Sequence, residues 1–428
     1  DVIPFYNNNK YFLVVYDVFN DVRMVFAPPS SVGKFGGDTD NWMWPRHTGD
    51  FSVFRVYADA DNKPAEYSKD NKPYSPKYVA EVSLQGYQDK DYAMTIGFPG
   101  STDRYLSSWG VKQRIEDSNK PRIEVRGIKQ AIWKDAMSAS DEVRIKYASK
   151  YAGSSNYWKN SIGMNRGLAN LNVIERKKEE EAAFAVWAGQ TPERKAKYGE
   201  VLNLLEKGYT STDEYRKVST YLSEAFVSGT EIVRLARMVQ GVDINGSTPE
   251  EIDMVLKDKI QPFFKDYDAT LDQKVLAAMM QVVKERVPAQ YLPDIYQKID
   301  KKYKGNYAKY AADVFKKTSL LSYDKIEKML KDPKLYAKLK KDPAAELSLS
   351  TLISLFELQQ FMGDAHFEIA KGERLYFAGL KEMYPEKALS SDANFTMRLS
   401  YGSIGGYRPY DAAWYDYYST EKGILEKE

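Results

Sequence analysis

Cysteine is absent from the 428 residues, and histidine occurs only twice, at His47 and His366. The first absence excludes disulfides, thiol nucleophiles and thiolate metal sites. The second excludes paired-histidine zinc motifs, because the two imidazoles stand far apart in the chain. No metal and no cofactor is expected on these grounds. An excess of either charge is also lacking: 62 Lys and Arg face 60 Asp and Glu, a net charge of +2. Nucleic-acid binders carry a basic excess or stripe, so a nucleic-acid partner is not expected. No apolar run is long enough to span a membrane as a helix.

Hydrophobic residues make up 43% of the chain, and the length allows two or three domains with sizeable cores. The chain opens on Asp1-Val2-Ile3-Pro4 and enters a hairpin-like pattern, Tyr11–Phe26, almost at once. So abrupt a start is expected of an internal fragment or a processed product.

Residues 1–110 read as strands. The runs Phe12–Tyr16 and Met24–Phe26 flank the turn signal Asn20-Asp21, and Asp50–Tyr57 and Tyr92–Ile96 are two more. From about residue 120 the period changes, and Ile123–Tyr151 and Tyr157–Trp187 are long, charged and amphipathic, as helices are. Thr191-Pro192, Thr248-Pro249 and Asp342-Pro343 place a capping residue before a proline at the first helical position. Thr248-Pro249-Glu250-Glu251 is a full capping box. Helical pattern runs to about residue 383, and strand character returns at Phe395–Tyr401. The order predicts an α+β protein: a β domain at 1–110, an inserted α-helical domain at 111–385, and a return to the β domain at 386–428. Two separate β domains are the alternative.

Polar, aromatic and glycine residues crowd together at Gly36–Phe51, Gly-Gly-Asp-Thr-Asp-Asn-Trp-Met-Trp-Pro-Arg-His-Thr-Gly-Asp-Phe. Glycines let a backbone adopt positive φ or approach a ligand closely, and Trp42 and Trp44 offer flat faces with one donor each. His47 and Asp50, three residues apart, could meet across a turn as a local dyad; the plainer reading makes His47 a structural hydrogen-bonder in a crowded loop. His366 falls in the helical block and reads as a surface or packing residue. Neither Gly-x-Ser-x-Gly nor Gly-Asn-Ser-Gly occurs, and Ser403, in Gly402–Gly406, reads as part of a strand-end turn rather than as a nucleophile.

The strand pattern from Asp50 to Val56 resembles the one that follows the triad aspartate of chymotrypsin-like serine peptidases, and Met94–Gly100 resembles that clan's next strand and Gly-Pro turn. The whole of Gly36–Phe51, together with Ser154–Asn160 and the Tyr410–Tyr418 run, resembles the signature of the dipeptidyl peptidase 7/11 family of bacterial serine exopeptidases. The resemblance implies a chymotrypsin-like double β-barrel, present in part and interrupted by a helical cap. It implies a buried Asp50 as triad aspartate, and Asn41, Trp42 and Asn156 as holders of a peptide's free α-amino group. An ammonium suits carbonyl acceptors and an aromatic face. By the same resemblance the triad histidine lies before Asp1, and the nucleophilic serine and the residue that sets side-chain preference lie after Glu428. An exported protein, at the periplasm or cell surface, acting on peptides as a homodimer is the corresponding expectation. The competing hypothesis is a non-catalytic peptide-binding or scaffold protein that keeps the amine anchor without the chemistry.

Overall fold

The structure, a computed structural model, describes residues 1–427. The chain divides into two compact units: Asp1–Tyr105 together with Tyr384–Glu428, and Leu106–Met383. The sequence reading sets the corresponding breaks at 110 and 385.

The first unit carries the strands β1 (Val2–Phe5), β2 (Lys10–Leu13), β3 (Val22–Phe26), β4 (Val53–Ala58), β5 (Lys72–Pro73), β6 (Tyr92–Gly97) and β7 (Arg398–Ser403). Among the described residues they form three separate antiparallel sheets, β1-β2, β3-β4-β5 and β6-β7, and no closed barrel.

The expected hairpin across Asn20-Asp21 does not form. The hairpin lies earlier, where β1 meets β2 with Val2 opposite Leu13 and Phe5 opposite Lys10. Its turn uses Tyr6, Asn7 and Asn8 at φ of 55°, 50° and 61°. Asn tolerates the left-handed region better than other non-glycine residues, which makes Asn7-Asn8 the operative turn signal. Asp21 has a different task. It is buried and accepts two bonds from the Arg23 guanidinium, at 2.8 and 2.7 Å, and one from Asn71 Nδ2 at 2.9 Å. Its neighbour β3 pairs with β4, with a register irregularity between Met24 and Phe26.

Strands β6 and β7 pair over six positions, from Tyr92 opposite Ser403 to Gly97 opposite Arg398. More bonds tie the same two chain segments together. The Asp392 carboxylate accepts from Thr102 Oγ1 at 2.6 Å and from the Arg104 amide at 2.9 Å. Phe395 N donates to Pro99 O at 2.9 Å. The chain therefore leaves this unit and returns to it at adjoining strands, the arrangement that lets a long insertion be accommodated.

The second unit is helical. Its caps sit where the local sequence calls for them. Thr191 and Asp342 are N-caps followed by proline, and Thr248 with Glu251 forms the reciprocal box. Asp342 does more than cap: it also accepts from Thr318 Oγ1, Ser319 N and Ser319 Oγ at 2.7–2.8 Å. The core runs through Leu222, Phe226, Ile232, Leu235, Leu276 and Met279, all fully buried.

One expectation fails here. The helix break read at residues 152–156 does not exist, and a single helix spans Asp141–Asn170. Breaks fall instead at Ser140, which caps that helix by accepting from Val143 N, and at Asn172, with φ of 47°. Gly153, Ser154 and Ser155 look like helix breakers in sequence, but the two serines are buried. Ser154 accepts from Gln130 and Arg126 of the Lys120–Ala139 helix packed alongside, so the small polar residues fasten the helix pair.

Candidate functional site

The Gly36–Phe51 segment folds as a compact loop ahead of β4. Gly36 has φ of 76° and precedes a single helical turn, Gly37–Asp40. The Asp40 carboxylate folds back over Gly36 so closely that a Cβ there would sit 2.1 Å from Oδ2, and Met43 N donates to Asp40 O at 3.1 Å. This glycine is required both for its backbone conformation and for its missing side chain. Between these anchors Asn41 is half-buried, and Trp42 adopts φ of 60° with its side chain largely exposed. A bulky residue held in the left-handed region is an uncommon conformation that concentrates at functional sites.

The far side of the loop is fixed by backbone and side-chain bonds. Gly49 N donates to Val32 O at 3.0 Å, and Thr48 Oγ1 donates to Phe35 O at 2.6 Å. Strand β4 begins at Val53, three residues later than the sequence reading places it, because Phe51 N turns back to Gly49 O. Asp50 thus stands before the strand with its side chain 76% exposed, its nearest cationic partner being Arg46 at 4.0 Å. In these residues the carboxylate is open rather than buried.

The His47–Asp50 dyad is absent, and so is the hydrogen-bonding role. Both ring nitrogens of His47 are buried without a hydrogen-bond partner among the described residues. The ring packs against Gly423, where a Cβ would lie 2.6 Å from Nε2. Ser403 ends β7, exposed, opposite Tyr92. His366, in the helical unit, lies 3.2 Å from an Arg216 nitrogen, and burial followed by that guanidinium pushes its pKa down.

Asn156 belongs to the helical unit and is exposed on the Asp141–Asn170 helix. The helix around it is held by a charged cluster that sequence reasoning missed. Glu224 accepts from Arg122 Nε at 2.9 Å and from Arg126 Nε at 2.7 Å, and Arg126 donates onward to Ser154 O at 3.2 Å. The signal was the pair Arg122 and Arg126, four apart on one helical face. Glu224 itself sits in a widened helical turn, Ser223–Val227, where Ser228 N reaches back to Ser223 O. A cavity of about 280 Å3 adjoins the cluster, lined by Arg126, Lys129, Trp133, Lys150, Ser154 and Tyr157, among others. Burial, then the Arg126 charge, pushes Lys129 down to about 8. A second groove, lined by Leu349, Ile353 and Phe361 among others, contains none of the predicted site residues. The described residues contain no cluster of three or more His, Asp or Glu able to hold a metal, and no helix long and apolar enough to cross a membrane.

The chain belongs to the peptidase family S46, whose profile matches residues 1–428. It is 61% identical over 431 residues to a dipeptidyl-peptidase 7 of Porphyromonas gingivalis, covering all of this chain and 60% of that protein. It is 37% identical over 438 residues to an Asp/Glu-specific dipeptidyl-peptidase of Flavobacterium psychrophilum, again covering 100% of this chain and 60% of the relative. The crystal structure of Porphyromonas endodontalis DPP11 in complex with the dipeptide Arg-Glu superposes with a TM-score of 0.88 at 34% identity, covering 100% of this chain and 62% of that one. The mixed helix-and-sheet fold is shared with that structure. The chain spans about 60% of the length of these relatives.

Proposed function

We propose that this chain is part of a serine-type dipeptidyl peptidase that releases dipeptides from the free N-terminus of peptides. The observation that carries the reading is the Gly36–Phe51 loop, which holds Trp42 at positive φ with its indole exposed beside Asn41. An indole face attracts an ammonium by cation–π interaction, and an asparagine oxygen accepts its N–H groups. Asn156 is the third residue this reading assigns to that amine. Fixing the amine at a set distance from the reacting carbonyl would restrict cleavage to two residues from the end.

Asp50 serves as the triad aspartate, orienting a histidine and stabilising the imidazolium that forms during acyl transfer. Such a carboxylate works buried, whereas the Asp50 side chain is 76% exposed in this chain. The partial β unit is one portion of a chymotrypsin-like double barrel. In support, apolar side chains such as Met94, Ile96, Leu399 and Tyr401 are exposed on β6 and β7, where barrel packing would cover them. An exported homodimer is the form this reading implies.

The test uses the full-length protein and fluorogenic dipeptides with a free or a blocked amine. Cleavage of the free-amine substrate alone is expected, and Asp50→Asn should cut kcat about 10^4-fold with folding intact. Equal cleavage of blocked substrates would refute the amine anchor, and near-normal turnover in the variant would remove Asp50 from the chemistry.

A further inference from the structure

The Asn41–Trp44 turn is bridged from outside. Lys427 donates to Asp40 Oδ2 at 2.6 Å on one side of the turn and to Pro45 O at 3.1 Å on the other. One ammonium thus spans the two ends of the segment that carries Asn41 and Trp42. The ion pair is well shielded: the Asp40 side chain is 7% exposed and that of Lys427 is 27% exposed. Asp40 has little room to rearrange, since its carboxylate lies over the bare Cα of Gly36. The stretch around Lys427 touches the same loop a second time, where Gly423 meets the His47 ring. A stretch far along the sequence therefore contacts the motif loop at two places.

We propose that Lys427 is a positioning residue for the amine anchor, holding the Asn41–Trp44 turn closed so that Trp42 keeps its left-handed backbone and presents its indole to the substrate ammonium. This rests on the dipeptidyl peptidase reading above. The physical argument is that a shielded carboxylate deprived of its counter-charge must find water. Asp40 would swing outward, the tie to Pro45 would be lost with it, and the strained conformation at Trp42 would relax. Lys427 touches no substrate in this scheme; it acts through Asp40 and Pro45.

The test compares Lys427→Met, Lys427→Arg and Trp42→Ala in the full-length protein, measuring kcat and KM on a free-amine fluorogenic dipeptide. Trp42→Ala is the control for the anchor itself. Expected is a rise in KM of about tenfold for Lys427→Met, with kcat within about twofold, the pattern of lost binding rather than lost chemistry. Lys427→Arg should restore most of the affinity, since a guanidinium can still pair with the carboxylate. Asp40→Asn should raise KM similarly, and combining it with Lys427→Met should add little, because both act through one contact. If Lys427→Met does not fold, Asp40→Asn, which removes the charge that Lys427 pairs with, takes its place. An unchanged KM for Lys427→Met, or for Asp40→Asn in its place, while Trp42→Ala raises KM would overturn the positioning role and leave the anchor standing. An unchanged KM for Trp42→Ala would overturn the anchor reading, and the proposal with it.

Discussion

Replacing Glu224 by leucine is expected to destabilise the helical unit by about 3 kcal/mol. The carboxylate is the shared acceptor of Arg122 and Arg126, its side chain is 9% exposed, and those of the two arginines are 25% and 12% exposed. Removing one partner from a buried ion pair costs about 3–5 kcal/mol, because the remaining charge stays desolvated without compensation. The lower end applies, since Arg122 can turn part of its guanidinium to water. Arg126 keeps a bond to Ser154 O, a neutral acceptor that replaces little of the lost charge. For a unit of this size about 2 °C is lost per kcal/mol, so the melting temperature should fall by about 6 °C. The assay is urea and thermal unfolding followed by far-UV circular dichroism. The triple variant Glu224→Leu, Arg122→Met, Arg126→Met is the decisive comparison. If the cost of the single change is a stranded charge, the triple change should recover most of it, to within about 1 kcal/mol of the parent. A single variant that loses less than about 1 kcal/mol, or a triple variant as unstable as the single one, would refute the reasoning.

Asp342→Ala should cost about 3 kcal/mol, the sum of a lost helix cap and of buried donors at Thr318 and Ser319 left unsatisfied; a loss below about 1 kcal/mol in urea unfolding would count against that division of labour. Burial first, and then the neighbouring Glu231 carboxylate, push Asp272 up to about 7. A carboxyl raised in the folded state gives stability that is fully present below its unfolded value of about 4 and is lost as pH rises through about 7. Asp272→Asn should therefore flatten the fall in urea midpoint between about pH 4 and pH 8, whatever it does to the absolute value; an unchanged slope would assign the pH dependence to other groups.

Local signals in the sequence were read well and distant ones poorly. The caps at Thr191, Thr248 and Asp342 were legible because a cap and the amides it serves lie within a few residues. The return of strand character near residue 398 was legible from alternation alone. Strand partners were not: Asn20-Asp21 has the composition of a turn, yet Asp21 serves Arg23 and Asn71, fifty positions further on. The helices read at Ile123–Tyr151 and Tyr157–Trp187 are not separated at residues 152–156, because Ser154 and Ser155 are buried against the neighbouring helix and that packing overrides their low helix propensity. At the loop, Asn41 and Trp42 stood out by motif. The Asp40–Lys427 bridge did not, since it joins residues 387 positions apart and leaves no periodic trace.

The pairing of β6 with β7 also bears on how the protein is made. Gly97 lies opposite Arg398, so the first of these strands leaves the ribosome long before its partner exists. At about 5–20 residues per second, the delay amounts to some 15–60 s. During that interval the edge of β6, with Tyr92, Met94 and Ile96, is an open template for association with other chains. The helical unit, with a core of its own, can compact in the meantime and thereby shorten the loop that must close. Until translation has passed residue 403, β6 therefore lacks the strand that covers this edge in the folded unit.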